Sequence, residues 1–182
     1  MITCISFTDD YRCFRKGIKI NFRPGVNLLV GDQGTGKSTI CQILSENKVK
    51  EAKISTDKRT RTKAFDFERD SLRTKSHFEE AIELQLYSKF VSHGEAIRVI
   101  QRYLRQTTDT VSFILDEPDM ALSIRTIIKL VEDLRHVANN GCQAIMAVHN
   151  PVLILAFKEV ISLEECQWVT SSSFCRSCGW GI

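Results

Sequence analysis

A glycine-rich stretch near residue 30 has the residue types and the spacing that hold a polyphosphate. It follows the pattern G-x-x-x-x-G-K-[ST] and lies between a short apolar run and a segment with helical character. Glycines let the backbone curl with its N–H groups turned inward, and the following helix N-terminus adds a positive dipole. The residues predicted to bind the nucleotide are Gly31, Asp32, Gln33, Gly34, Thr35, Gly36, Lys37, Ser38 and Thr39. Because Lys37 supplies a charge for the β- and γ-phosphates and Ser38 a hydroxyl for Mg²⁺, the stretch predicts a nucleoside-triphosphate site.

Two acidic residues and one histidine follow later apolar runs. Asp116 and Glu117 come directly after the run 111–115, and His149 comes after the run 143–148. Runs of this kind are typical of buried strands in a parallel sheet, whose ligands gather beyond the carboxyl ends of the strands. We expect Asp116 to hold Mg²⁺ and Glu117 to act as general base on the attacking water. His149 is expected to contact the γ-phosphate, with a structural hydrogen bond as the alternative role.

Residues 92–95, Ser-His-Gly-Glu, have two explanations. Ser92 can cap a helix that continues to about residue 106, and Glu95 three residues later completes a capping box. Structure alone would then account for both side chains. The same helix N-terminus, with the amide of Gly94, is also suited to an anion.

The hydrophobic pattern supplies the elements that must bring these residues together. Alternating or continuous apolar residues predict strands, and apolar residues at helical spacing predict helices. The predicted strands are 1–8, 17–22, the run ending at 30, 62–68, 111–118, 143–148, 159–163 and 166–170, and the predicted helices are 38–46, 76–90, 92–106, 121–138 and 151–157. The predicted fold class is therefore α/β, with a mostly parallel central sheet flanked by helices and with antiparallel strands at the N-terminus.

Composition and charge describe an ordinary globular chain. Its 182 residues suffice for one domain, and the 43% hydrophobic and 26% charged fractions are usual for a soluble protein. A net charge of +3 is too small to indicate nucleic acid by itself. Seven scattered cysteines, with no signal peptide and no run long enough to cross a membrane, predict reduced thiols and a cytoplasmic location.

A basic segment and the tail each have open interpretations. Residues 47–63 contain seven basic and two acidic side chains, which predicts either a solvated loop or hairpin, or a patch facing nucleic acid. The tail carries one C-x-x-C pair, Cys175 and Cys178. A structural zinc site needs about four ligands, so we expect a frayed terminus instead.

Taken in order, these motifs resemble those of ABC-type P-loop ATPases of the SMC/RecF/OLD-like group, often called AAA-type ATP-binding proteins. Residues 31–38 are similar to Walker A, 92–95 to the signature motif, 113–118 to Walker B with its catalytic glutamate, 119–123 to the D-loop, 148–153 to the switch-histidine segment, and 11–14 to the opening segment whose arginine approaches the nucleotide. The resemblance covers roughly residues 1–165, with 166–182 as a strand and tail, and corresponds to a small stand-alone form.

The resemblance implies Mg²⁺-dependent hydrolysis of ATP to ADP and phosphate, with catalytic roles for Lys37, Glu117 and His149 and a nucleotide contact for Arg12. It also implies an ATP-sandwich homodimer. In such a dimer the signature residues of one subunit contact the γ-phosphate held by the other; these residues are Ser92, Gly94 and Glu95. DNA repair, recombination or phage-related processes are the implied roles, with DNA or a nuclease or other effector as partner and no membrane partner. The alternative is an ATP-gated interaction module with little turnover.

The sequence departs from this group in three places, one of which is His93, where the signature motif usually has a small residue. Asp66 or Glu68 stands near the position of the Q-loop glutamine, and the interval from Ser38 to Ser92 leaves no room for a coiled-coil insertion. We therefore expect a reduced helical segment to carry the signature motif.

Overall fold

The computed structural model describes residues 1–57, 61–66 (backbone only at 65 and 66), 101–102, 104–105, 111–120 and 122–180. Nine strands and four helices have described bounds. The strands are β1 Ile2–Phe7, β2 Lys19–Asn21, β3 Gly25–Val30, β4 Ala52–Thr56, β5 Arg61–Asp66, β6 Val111–Asp116, β7 Gln143–Ala147, β8 Glu159–Ser162 and β9 Gln167–Thr170. The helices are α1 Lys37–Glu46, α2 Ile124–Asn139, α3 Pro151–Leu155 and α4 Ser171–Ser177.

The central sheet has six strands in the order β5-β6-β7-β3-β8-β9. All neighbours are parallel except β9, which runs antiparallel to β8. Every residue of β6 and β7 is buried, as expected for strands covered on both faces. The α/β fold class with a mostly parallel sheet is confirmed. Since β3, β6 and β7 point the same way, the residues after their carboxyl ends meet at one edge.

Two hydrophobic cores cover the two faces of this sheet. Successive strand residues alternate between the faces, so Leu28 and Val30 join one core while Leu29 joins the other. The first core lies against α2, α3 and α4, and the second lies against α1 and the N-terminal strands. The phosphate loop follows the carboxyl end of β3, the strand that contributes residues to both cores.

The N-terminal strands form a separate antiparallel sheet in the order β2-β1-β4. The expectation that residues 47–63 form a loop or hairpin is wrong, because β4 pairs with β1 while β5 pairs with β6 in the other sheet. The cause is the alternation within β4. Ile54 lies opposite Ile5 and packs against the second core, whereas Lys53 is exposed.

The C-terminal segment is a packed helix, so the expectation of a frayed terminus is wrong. The side chain of Thr170 accepts a hydrogen bond from the backbone N–H of Ser173 and caps α4. The hydroxyl of Ser171 donates to the carbonyl of Phe157. Cys175 is fully buried in the first core, which explains why this serine-rich stretch holds its place.

The predicted helices 76–90 and 92–106 fall outside the described residues, except for two short pieces of the second. Residues 101–102 and 104–105 are helical. Leu104 is buried in the first core, and Arg105 forms an ion pair with the buried carboxylate of Asp133 on α2. Within the described ranges, none of the helices is long and apolar enough to span a membrane.

Candidate functional site

The phosphate loop needs glycine at two positions for steric reasons. Gly31 and Gly36 have φ angles of 145° and 98°, which L-residues with a side chain rarely adopt. A Cβ on Gly36 would lie 2.6 Å from the ring of Phe14 and 2.5 Å from Sγ of Cys13. A Cβ on Gly31 would lie 2.8 Å from the hydroxyl of Thr35. The loop therefore folds tightly against the segment 11–14 that precedes β2.

Lys37 lies inside this loop as the first residue of α1. Its ammonium donates hydrogen bonds to the carbonyl oxygens of Gly31 at 2.7 Å and Asp32 at 2.9 Å. In the described part of the chain these are its partners, so one of its three N–H groups is left for an anion. Burial lowers the pKa of Lys37, and four carboxylates oppose that shift by favouring the charged form; they are Glu117, Asp32, Asp116 and Glu164.

Arg12 lies beside the start of α1, next to the phosphate loop. Its Nη1 donates a hydrogen bond to the hydroxyl of Thr39 at 3.1 Å, and its guanidinium lies 5.3 Å from the centre of the Tyr11 ring. The residue has a positive φ of 52°, which directs the segment back over the loop. This placement agrees with a nucleotide contact, and the contact itself stays a prediction.

The acidic residues and the histidine meet at the carboxyl ends of β6 and β7. Glu117 follows β6 with φ 52°, and its backbone N–H donates to the carbonyl of Ala147 at 3.1 Å. Its Oε1 lies 3.0 Å from Nε2 of His149. Asp116 is buried at the end of β6, in register with Ala147. The pairing of β6 with β7 thus places a general-base candidate against an imidazole.

Asp119 is a residue of this site to which sequence reasoning gave no role. Its Oδ2 accepts hydrogen bonds from the backbone N–H groups of His149 at 2.8 Å and Asn150 at 2.5 Å. Asn150 in turn caps α3 through its own side chain. Asp119 is only 5% exposed, and its Oδ1 has no hydrogen-bond partner among the described residues. The available signal was an aspartate two positions after Glu117, at the start of the segment that resembles the D-loop.

The chemistry of the donors fits a magnesium ion. Mg²⁺ is usually held by one or two carboxylates together with substrate phosphates, so a full protein cage is not required. Ser38 is exposed at the first turn of α1, and Asp116 ends β6. Cys41, one turn beyond Ser38, contacts the carbonyl of Leu115, so the start of α1 packs against the end of β6. Among the described residues no group of three or more His, Cys, Asp or Glu side chains could hold a metal alone.

Several predicted site residues meet in the structure, and three fall outside it. The carboxylates of Asp116 and Glu117 both favour the charged form of Lys37, and His149 contacts Glu117. Residues 92–95 lie outside the described residues, so the predicted roles of Ser92, Gly94 and Glu95 stay predictions.

Comparisons with known proteins identify the family and the fold. The model of the family described as "AAA ATPase domain" matches residues 9–104, which is more than half of the 182 residues. The chain is 36% identical over 84 residues to the UvrABC system protein A of Malacoplasma penetrans. That match covers 45% of this chain and spans about 9% of the relative's length.

Two solved structures share the fold at low sequence identity. One is a dimeric, post-hydrolysis state of the ATP-binding cassette MJ0796 bound to ADP and phosphate, with a TM-score of 0.64 and 16% identity. It covers 94% of this chain and 99% of its own. The other is a cobalt transport ATP-binding protein, with a TM-score of 0.57, 16% identity, and 94% and 81% of the two chains covered. The chain belongs to the AAA ATPase domain family and is a P-loop ATPase domain with the ABC-type fold.

Proposed function

We propose that this domain hydrolyses Mg²⁺-bound ATP to ADP and phosphate and that its ATP-bound form is a homodimer. The observation that carries the proposal is the pair formed by Glu117 and His149, 3.0 Å apart at the same sheet edge as the phosphate loop. A carboxylate that is fixed beside an imidazole, near a buried lysine, can act on a water that attacks a phosphate.

In the proposed reaction, a water attacks the γ-phosphorus and the bond from the γ-phosphorus to the bridging oxygen of ADP breaks. The carboxylate of Glu117 accepts the proton of this water and passes it to the departing phosphate or to solvent. With a proton on Nε2, His149 donates to Glu117 Oε1 and fixes the orientation of the carboxylate. Asp119 accepts a hydrogen bond from the backbone N–H of His149 and so fixes the residue that carries the imidazole. The imidazole is therefore in position before the reaction begins.

Charge stabilisation comes from the loop and its lysine. The ammonium of Lys37, already fixed by two carbonyl oxygens, faces the phosphates with its remaining N–H. Donors that are fixed before the reaction stabilise developing charge without reorganisation. Ser38 and Asp116 are the residues that would hold Mg²⁺, which neutralises phosphate charge when it is bound.

Dimerisation is the second part of the proposal. It is supported by the resemblance of residues 92–95 to a signature motif and by the dimeric state of the ATP-binding cassette that shares the fold. ATP held between two subunits would stabilise the dimer by its binding free energy, and hydrolysis would remove that stabilisation.

Glu117→Gln tests both parts. This variant keeps the shape of the site but cannot accept the proton, so we expect kcat to fall by roughly 10²- to 10³-fold while ATP binding persists. Light scattering of this variant with ATP and Mg²⁺ should show a dimer, and Lys37→Ala should remain monomeric as the control. A Glu117→Gln protein that binds ATP and stays monomeric would contradict the sandwich. Negligible phosphate release by the wild type would favour an ATP-gated interaction module.

The wider role that we propose is cytoplasmic DNA repair, recombination or a phage-related process, with DNA or a nuclease or other effector as partner. Two observations support DNA. The chain is similar over 84 residues to the UvrABC system protein A, and the exposed Lys19 and Lys53 lie on either side of Ser6 in the N-terminal sheet. Binding of duplex and single-stranded DNA as a function of salt, with and without ATP, tests this role.

A further inference from the structure

We propose that Glu164, in the turn between β8 and β9, is a positioning residue that holds the phosphate loop and its lysine ready for nucleotide. The inference rests on the proposed ATP binding and adds a residue that none of the sequence motifs contains. Glu164 is 132 positions away from the loop residue that it contacts.

The contact is a hydrogen bond to one specific peptide group. Oε1 of Glu164 accepts from the backbone N–H of Asp32 at 3.0 Å. The carbonyl of the same peptide belongs to Gly31 and accepts from the ammonium of Lys37 at 2.7 Å. This single peptide plane is therefore held by a carboxylate on its N–H side and by an ammonium on its carbonyl side. Charge-assisted hydrogen bonds at both ends of one amide polarise it and strengthen each other.

The turn that carries Glu164 is fixed to the strand that carries the loop. β8 pairs in parallel with β3, in register at Val30 and Ser162, and the N–H of Leu163 donates to the carbonyl of Val30 at 2.9 Å. Cys166 ends the turn with a positive φ of 53°, and its thiol donates to the carbonyl of Leu163 at 3.3 Å. The backbone on either side of Glu164 is thus ordered, so that its carboxylate can act as a fixed support.

Glu164 would act through Lys37 and the loop backbone rather than on ATP. Its carboxylate is one of the four charges that favour the ammonium form of Lys37, which is otherwise disfavoured by burial. Holding the Gly31–Asp32 peptide keeps the two carbonyl oxygens in place on which that ammonium rests. Without this support the loop must be ordered at the moment of binding, and the entropy cost weakens affinity.

The test compares Glu164→Ala with Glu165→Ala as a matched control. Glu165 is the adjacent exposed glutamate, and its side chain contacts Gln167 instead of the loop. We expect Glu164→Ala to raise the KM for ATP about 5-fold with kcat within about twofold, since an exposed charge-assisted hydrogen bond contributes modestly. Glu165→Ala should match the wild type. Glu164→Gln keeps an oxygen acceptor and should recover most of the wild-type KM.

Each other outcome overturns a stated part of the inference. Equal KM values for the two alanine variants, with an active wild type, would overturn the role of Glu164 and leave the proposed function intact. Equal impairment of Glu164→Ala and Glu164→Gln would overturn the hydrogen-bond assignment, as would a loss confined to kcat or a melting temperature that falls in both Glu164 variants. A wild type with no affinity for ATP would overturn the proposed function and this inference together.

Discussion

The two ends of the central sheet differ in how completely their buried polar groups are paired. At the end opposite the phosphate loop, the amide of Gln143 uses all four of its hydrogen-bonding positions. Its Oε1 accepts from the N–H of Ile2 and the hydroxyl of Ser112, and its Nε2 donates to the carbonyls of Ile2 and Arg23. Gln143 therefore joins the N-terminal sheet to the central sheet.

At the end that carries the phosphate loop, which we call the nucleotide end, the hydrogen bonding of the buried polar groups is incomplete. The buried Asp119 has an Oδ1 without a partner among the described residues, and the buried Lys37 has an N–H to spare. A backbone φ of 52° at Glu117 adds strain. Unpaired buried groups and strain cost free energy of folding, so they persist where a ligand uses them. The end at Gln143 therefore stabilises the fold, whereas the end at the phosphate loop is prepared for a ligand.

Gln143→Leu removes the hydrogen bonds at the paired end, and of the substitutions considered we expect it to lower the free energy of unfolding most. The substitution leaves buried backbone groups of Ile2 without partners, each costing about 1–3 kcal/mol, so we expect about 3 kcal/mol of destabilisation in urea unfolding. The KM for ATP should stay within twofold, because the site is at the other end. Gln167→Leu, on an exposed part of β9, is the control. A loss below about 1 kcal/mol for Gln143→Leu would contradict the structural role.

Asp119→Ala should affect the nucleotide end through His149. Without the carboxylate, the N–H groups of His149 and Asn150 lose their acceptor and the imidazole loses its fixed position. We expect kcat to fall about 10-fold with KM nearly unchanged, because positioning of the acid–base pair contributes to the chemical step. Asp119→Asn keeps an acceptor oxygen and should recover activity, and Glu132→Ala on the exposed side of α2 serves as the control. Unchanged kcat in Asp119→Ala would show that the turn is held without this residue.

The smallest effect that we predict is a pH dependence of stability due to Lys37. Burial lowers its pKa in the folded protein below the ordinary lysine value of 10.5. Between the folded and the ordinary pKa, the unfolded chain binds more protons, so stability rises with pH in that window. The difference in unfolding free energy between wild type and Lys37→Met should therefore increase from neutral pH toward pH ~10. If this difference in unfolding free energy stayed constant or fell with pH, the charged Lys37 would not be destabilising in the folded protein.

The local patterns predicted the fold class and the P-loop because their physical causes are local. Gly31 and Gly36 are needed for backbone angles within one loop, and the apolar runs of β6 and β7 follow from burial on both faces. The predicted membership of a P-loop ATPase family is confirmed by the family match, while ATP hydrolysis by this chain and the roles of the individual site residues stay predictions.

The local sequence patterns did not predict which distant strands and helices pack together. Whether β4 joins β1 or β5 depends on competing strand registers, and the packing of α4 depends on a core built from the whole chain.

The sequence by itself determined a phosphate-binding loop on a parallel sheet, because spacing along the chain is sufficient to specify a tight glycine turn and a buried strand. Only the tertiary structure decided which residues support that loop. Three supporting residues contact partners that are 30 or more positions away in the sequence: Asp119 contacts His149, Glu164 contacts Asp32, and Gln143 contacts Ile2. Such contacts depend on strand order and register, which a chain acquires only when both cores form together.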